Sequence, residues 1–326
     1  MIINSIKYGD LKKSDEKNRI LTIGNFDGVH QGHKKLLEYC VNRAAKLNIV
    51  SSVITFCPHP RIFFQLNPKQ ECIQTIRDKC EEIFKTGIQQ IILARFNSSL
   101  SNTSATEFVS KQLVDNLNMV ELVVGEDFQF GKNREGNIRL LKKLGTKYDF
   151  TTTTISNEKH KTSKISSSLL REVAKEGDFD SVKYLRNSNL KVSGHVCHGR
   201  KLGRQLDYPT INIKIPNEFC FSGVFVVKTF SRSEFCNLNG NYGIANIGTR
   251  PTVENCGRKL LEVYVLDWSG NAYGAMVTVE IIKKISDEEN LNNLVELKDK
   301  IKKDECLARE FIRVNNEKRS KIKKFQ

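Results

Sequence analysis

Five short apolar runs, residues 20–23, 49–56, 88–96, 119–125 and 150–155, punctuate the first half of this chain, with more polar sequence between them. They are rich in Ile, Val, Leu and Thr, the composition of buried strands. Between them, Leu36, Leu37, Cys40, Val41 and Ala44 follow helical spacing, and Phe108, Leu113 and Leu117 mark a second helix. Ser104-Ala105-Thr106-Glu107 has the form of a capping box for that second helix. Consecutive parallel strands need a crossover connection, so this alternation predicts an α/β domain: a parallel sheet with helices on both faces. In such sheets a ligand sits beyond the carboxyl ends of the strands.

The pattern then changes. Two helices are expected over 168–175 and 179–185, followed by the polar, turn-prone Asn187-Ser188-Asn189. Short strand-like runs follow (224–229, 243–246, 260–266 and 277–282), separated by turns such as Asn239-Gly240 and Ser269-Gly270. These predict a small antiparallel β-barrel or sandwich, closed by a helix over about 291–315. At 326 residues the chain has room for two cores. The expected domains are 1–187 and 188–326.

Directly after the first apolar run stands GNFDGVHQGH, residues 24–33. Gly24 is expected to let the chain leave the strand, and Gly28 and Gly32 to keep side chains away from a close ligand. A helix opening at Gly32-His33 would present unpaired N–H groups and a partial positive charge, which suits a phosphate. His30 and His33 can direct imidazole N–H groups to the same point and stabilise charge on a phosphate in transfer. Asp27 is expected either to cap the helix or to organise the loop.

Composition narrows the function classes. The chain is 39% hydrophobic and 27% charged, as in globular proteins. No apolar run reaches the roughly 18 residues that span a bilayer, and the N-terminus lacks a basic-then-apolar secretory signal. Nine scattered cysteines without a CxxC pair argue against a disulfide framework or a thiolate zinc site. A cytoplasmic protein with reduced thiols is expected. The net charge of +15 suits polyanionic partners, but it is dispersed, and only EKRSKIKKFQ at the C-terminus is dense.

GNFDGVHQGH resembles the signature of the HxGH nucleotidyltransferase superfamily, in the form found in bacterial bifunctional riboflavin kinase/FAD synthetases. TFCPHPRIFF (55–64), ARFNSSLSNTSATEFV (94–109), VVGEDFQFGKNREG (123–136) and KISSSLLRE (164–172) resemble further segments of that family's first domain, in order. The resemblance implies a Rossmann-like FMN adenylyltransferase domain. It places Gly24, Asn25, Ser167, Ser168 and Arg171 on the nucleotide and its phosphates, with His30 and His33 as catalytic groups. It places His59, Asp127, Phe128 and Arg134 near the flavin nucleotide. Lys164 stands where the family commonly has arginine, and Leu169 where many members carry a basic residue.

SGHVCHGRKLGRQLDYPTINI (193–213), YGIANIGTRPTV (242–253) and LLEVYVLDWSGNAYG (260–274) resemble the riboflavin kinase half of the family. Gly199 and Gly203 would shape a basic loop, with Arg200, Lys201 and Arg204, over ATP phosphates. Thr210 and Asn212 alternate onto one face of a strand, where a hydroxyl and an amide oxygen suit magnesium. Glu262 takes the family's position for the base acting on the riboflavin 5′-hydroxyl. By alternation alone it is a solvated strand residue. Asp207, Tyr264, Ala272, Ser286 and Leu291 depart from the family pattern. Aspartate in place of glycine at 207 matters if the backbone there has positive φ.

The resemblance implies two reactions: riboflavin and ATP to FMN, then FMN and a second ATP to FAD with release of pyrophosphate. Mg2+ is the implied cofactor and the partners are small molecules, with neither nucleic acid nor membrane. A monomer or weak homo-oligomer is expected. Two alternatives remain open at this level: a monofunctional adenylyltransferase with a degenerate kinase module, and a basic nucleic-acid-binding protein.

Overall fold

The computed structural model describes residues 5–12, 17–64, 71–160, 163–199, 203, 206–249, 259–289 and 293–323. The chain forms two compact units, Met1–Gln70 with Lys79–Leu169, and Glu71–Asp78 with Leu170–Gln326. The expected boundary at 187/188 lies inside the second of these.

The first unit is built on a six-stranded parallel sheet of β1 (Ser5–Gly9), β2 (Arg19–Ile23), β3 (Val50–Cys57), β4 (Gln90–Arg95), β5 (Met119–Gly125) and β6 (Thr151–Ile155). The strand order is β1-β4-β3-β2-β5-β6. A short antiparallel pair, β7 (Lys159–His160) and β8 (Ser163–Lys164), follows the sheet in the chain. Five strands match the apolar runs; the edge strand β1, whose sequence SIKYG has little apolar character, was not foreseen. Alternate residues of the central strands face opposite ways. Leu21, Ile23, Ile54, Ile92, Leu122 and Val124 pack into one core with Phe108, Val109, Leu113, Leu141 and Leu144. Ile20, Val53, Ile91 and Val123 pack into the other with Leu36, Leu37, Cys40, Ala44, Cys80 and Ile83. The parallel sheet is thereby covered on both sides.

The segment marked by Phe108 and Leu113 continues a short α-helix, Ala105–Glu107, as a π-helix, Phe108–Asp115. The five-residue spacing of those two buried side chains matches the wider turn. Helices Ile76–Phe84 and Ile138–Tyr148 were not foreseen.

In the second unit, β9 (Leu190–Cys197), β10 (Thr210–Lys214), β11 (Gly223–Ser231), β12 (Asn239–Thr249), β13 (Lys259–Val265) and β14 (Met276–Ser286) close an antiparallel barrel in the order β10-β13-β12-β11-β14-β9. Ile211, Ile213, Leu261, Val263, Ala245, Phe225 and Val227 are buried, and their positions share the inward side by register. The C-terminal helix Leu294–Lys323 lays Ala308, Phe311 and Ile312 on part of the outer side, against Val226, Ile244, Leu266 and Tyr264. Helix Phe179–Arg186 joins this unit through Phe179, whose ring meets those of Phe221 and Phe225 at centroid distances of 5.2 Å each. Residues 71–78 join it because Cys72 bridges to Phe219 and the Asp78 carboxylate accepts the Ser193 N–H at 3.1 Å.

Candidate functional site

Strand β2 is where the parallel sheet reverses its order, with β3 and β4 to one side and β5 and β6 to the other. The crevice beyond its carboxyl end is the ligand position of this architecture. GNFDGVHQGH occupies that end. Phe26, Gly28 and Val29 all have positive φ, at 48°, 82° and 36°. Only one of the three is glycine. Phe26 and Val29 are held there by burial in the core under the loop. Strain of this kind costs on the order of 1–3 kcal/mol per residue and persists where the surroundings over-determine it.

The glycines make room for rings. A Cβ at Gly24 would lie 3.2 Å from the Phe26 ring, and one at Gly32 would lie 3.3 Å from the His30 ring. The His30 ring therefore borders Gly32.

Helix Gln31–Leu47 starts directly after the loop, and its N-cap is His30 rather than Asp27. The His30 Nδ1 accepts the backbone N–H of His33 at 3.3 Å. A ring accepting at Nδ1 carries its hydrogen on Nε2, which leaves that nitrogen as a donor. His33 stacks on His30, with centroids 3.7 Å apart and planes 17° from parallel. The two imidazoles therefore lie face to face at the helix start. The His33 Nδ1 is buried and has no hydrogen-bond partner. Burial, and then the electrostatic influence of His30, Lys79 and Lys164, hold the His33 pKa well below 6.5, so the ring is neutral at neutral pH.

Ser167 reaches the loop, donating its hydroxyl to the Asp27 carbonyl at 2.7 Å. The serine that caps helix Ser167–Glu176 is Ser166, which accepts the Leu169 N–H at 3.2 Å. Ser168 is exposed, and Arg171 lies one turn further along the helix, half-buried. His59 is half-buried beyond β3 and caps the short helix Pro60–Phe63 through its Nδ1. Asp127, after β5, pairs with Lys164 and accepts from Asn157 Nδ2 at 2.9 Å; these hydrogen bonds hold its carboxyl below the usual range. Phe128 stacks on Phe130 at 5.4 Å and packs against the core, while Arg134 is exposed in a turn at φ 59°.

Two features escaped the sequence. Phe56, Phe63, Phe64 and Phe96 form an edge-to-face aromatic cluster where β3 and β4 end, and Phe64 is 51% exposed. The phenylalanines come from segments some thirty residues apart, and only the parallel pairing of β3 with β4 brings them together. The other is Lys79, buried beside the loop at Asn25.

On the barrel, register puts Cys197, Asn212, Glu262 and Asn246 side by side across β9, β10, β13 and β12. Thr210 and Tyr264 form the neighbouring row. Directly opposed residues have Cβ atoms about 4.5–5.5 Å apart and share a face. Burial alternates along β13, with Leu261, Val263 and Val265 inward and Glu262 half-buried outward. Asn212 is 6% exposed, and its Nδ2 donates to the Thr210 carbonyl at 3.3 Å. A Cβ at Gly199 would strike the Asn212 amide at 2.6 Å, and one at Gly203 the Tyr208 carbonyl at 2.2 Å. Arg200, Lys201, Arg204, the Arg250-Pro251-Thr252 stretch and Leu291 lie outside the described residues.

The departures from the family pattern have local partners. Asp207 does have positive φ, 67°, and Lys298 stands 3.6 Å from its carboxylate. Ser286 donates to the buried Asp304 carboxylate at 3.0 Å, and Lys300 supplies its cation at 3.3 Å. Tyr264 meets the edge of Tyr208 at 5.1 Å, and Ala272 is buried.

Each half of the chain matches a known family. Residues 12–169 match the FAD synthetase family model and residues 186–312 the riboflavin kinase model. The bifunctional riboflavin kinase/FMN adenylyltransferase of Buchnera aphidicola (subsp. Acyrthosiphon pisum) is 35% identical over 305 residues, covering 93% of this chain and 96% of the relative. The protein of the same name from Escherichia coli K12 is 34% identical over 303 residues, covering 93% and 95%. A crystal structure titled as a macrolide-efflux protein of Streptococcus pneumoniae has a TM-score of 0.75 at 24% identity, covering 94% of this chain and 99% of that one, a likeness of fold. No helix among the described residues is long and apolar enough to cross a membrane. Both family models are matched and the relatives align along almost the whole length, so the chain belongs to the bifunctional riboflavin kinase/FMN adenylyltransferases, transferases that act on riboflavin, FMN and ATP.

Proposed function

We propose that the two reactions are divided along the chain, adenylyl transfer within residues 1–187 and phosphorylation within 188–326, and that the residues assigned above carry them. The stacked pair of His30 and His33 on a helix start, at the point where the sheet order reverses, supports the first assignment most directly. The helix N-terminus, the His30 Nε2–H and the neutral His33 ring are hydrogen-bond donors matched to phosphate oxygens. A buried nitrogen left without a partner, as His33 Nδ1 is, costs free energy that a bound group can recover. Gly24 and Asn25 lead the chain into this loop, Ser167 braces it, and Ser168 and Arg171 add donors to the triphosphate. With ATP held in this way, an FMN phosphate oxygen attacks the α-phosphorus and the bond to the β-phosphate oxygen breaks, so pyrophosphate leaves with the electron pair. Alignment and charge stabilisation suffice, and no covalent enzyme intermediate is required. His59, Asp127, Phe128 and Arg134 take the flavin nucleotide, and the exposed side of the Phe64 cluster suits a planar ring system.

In the barrel, Glu262 accepts the proton of the riboflavin 5′-hydroxyl as its oxygen attacks the γ-phosphorus of ATP and ADP departs. Gly199 and Gly203 let the loop lie close to Asn212 and Thr210. The Thr210 hydroxyl and the Asn212 amide oxygen are hard, neutral ligands that fit Mg2+ arriving with its nucleotide, and the Gly199 contact shows that the Asn212 amide is closely enclosed. Bound there, the metal would neutralise phosphate charge. Among the described residues no cluster of three His, Cys, Asp or Glu offers a rival metal site. We further propose a cytoplasmic monomer or weak homo-oligomer that engages neither nucleic acid nor membrane. The eight described cysteines are free thiols, which accords with a reducing compartment.

The test is product analysis starting separately from riboflavin and from FMN, with ATP and magnesium. His33→Ala is expected to abolish FAD synthesis and spare FMN formation; Glu262→Gln is expected to do the reverse. Loss of both activities in a folded His33→Ala protein, or an unimpaired kinase in Glu262→Gln, would overturn the division.

A further inference from the structure

The steps described above make no use of one buried cation. Lys79, on helix Ile76–Phe84, is 6% exposed. Its ammonium donates to the Asn25 carbonyl and to Thr55 Oγ1, both at 3.0 Å, and the Thr55 hydroxyl donates to the same Asn25 carbonyl at 3.1 Å. Three elements meet in this triangle: the helix, β3, and the loop that leaves β2. A buried ammonium is tolerated only when well bonded, and Lys79 directs its bonds to a residue of the candidate phosphate loop.

We propose that Lys79 is a positioning residue for adenylyl transfer, one that locks the course of the loop at Asn25 and supplies a standing positive charge within electrostatic range of His33. The inference rests on the assignment of His30 and His33 to phosphate binding. The ionisable groups acting on His33 are His30 from its own loop, Lys79 from helix Ile76–Phe84, and Lys164 from β8 (Ser163–Lys164). Each opposes protonation of His33, as burial does more strongly. Lysine and histidine thus divide two tasks. The fixed cation attracts the polyphosphate at every physiological pH, and the imidazole stays a neutral donor at neutral pH. Lys79 shapes the site through the loop carbonyl and through the field, and contact with the reacting atoms is left to the histidines.

The experiment uses the full-length protein with Lys79→Arg, which keeps the charge, and Lys79→Gln, which keeps a donor but loses the charge. FAD synthesis from FMN and FMN formation from riboflavin are measured across pH, and His33 is followed by NMR with His33→Ala as the assignment control. Lys79→Gln is expected to lower kcat/KM for FAD synthesis by roughly tenfold to a hundredfold, the size of lost charge-assisted hydrogen bonds. Its acid limb and its His33 titration should both move to higher pH. Lys79→Arg is expected to keep the wild-type pH profile, with FMN formation within about twofold of wild type in both variants. If Lys79→Gln does not fold, the pH profile of Lys79→Arg and the wild-type His33 titration decide. A His33 that titrates near 6.5 in wild type, or a shifted profile with the charge retained, would overturn the proposal. It would equally be overturned by an unchanged rate and pH profile in Lys79→Gln when His33→Ala is inactive. Should His33→Ala itself make FAD normally, the assignment of the site fails first and the role of Lys79 falls with it.

Discussion

Replacing Gly199 by alanine tests whether Asn212 serves phosphoryl transfer on the outside of the barrel. The added Cβ would stand 2.6 Å from Asn212 Oδ1 and 2.8 Å from its Cγ and Nδ2. Ordinary contact begins at 3.4 Å, so the amide must retreat by about 0.8 Å. It has little freedom to do so. Asn212 is 6% exposed, its Nδ2 is tied to the Thr210 carbonyl at 3.3 Å, and its own carbonyl accepts the Cys197 thiol at 3.3 Å. Overpacking a buried position costs about 1–3 kcal/mol of stability. Displacing a positioning group by nearly an ångström costs up to about 100-fold in rate. FMN formation from riboflavin should therefore fall roughly tenfold to a hundredfold in Gly199→Ala, while adenylylation of supplied FMN stays within about twofold of wild type. Chromatographic separation of riboflavin, FMN and FAD reads both reactions, and a thermal melt reads the strain. Adding Asn212→Ala should restore the melt without restoring the kinase, because the clash and the function involve the same amide. Wild-type FMN formation by folded Gly199→Ala would refute the placement of Asn212 in the site.

Two further outcomes follow from the same geometry. His33 has its pKa held below 6.5 in the folded protein, so as pH falls through 6.5 the unfolded chain takes up a proton that the folded one refuses. Stability contributed by the neutral ring is complete above that pH and declines below it with a limiting slope of about 1.4 kcal/mol per pH unit. In His33→Ala this contribution to the slope of denaturant-derived stability against pH should vanish, and an identical slope would contradict the burial of the ring. Asp207→Gly removes a side chain from a left-handed backbone position, for a gain of up to about 1 kcal/mol. The Lys298 pair that it gives up is 53% and 88% exposed and contributes little. A higher melting temperature with unchanged kinase activity is expected, and a clear loss of stability would show that the ion pair outweighs the backbone strain.

How much of the molecule was legible follows from the range of each interaction. Strand runs and helical spacing report which side chains must leave water, and that requirement is local. The five apolar strands, helix Gln31–Leu47, the pair Ser167–Glu176 and Phe179–Arg186, and an antiparallel second domain therefore stand at or near their expected places. Edge strand β1 was hidden because SIKYG, with a single aliphatic residue, carries no apolar run to mark it. Helix Ile138–Tyr148 went unread although Asn137 is a favourable N-cap and Ile138, Leu141 and Leu144 keep helical spacing. Motif residues such as His30, His33, Asn212 and Glu262 could be picked out one by one, but their relations could not. His30 caps the helix through Nδ1, Gly32 yields space to His30, and the serine that caps the second of these helices is Ser166.

By itself the sequence determined the two folding patterns and the family to which they belong, because burial periodicity and contiguous motifs are written within single elements. Tertiary structure alone decided the stacking of two imidazoles, the aromatic cluster at the ends of β3 and β4, the row of polar residues across four barrel strands, and the Lys79 triangle. Each of these depends on sheet order and register, which bring together residues tens of positions apart and set their separation to within a hydrogen bond.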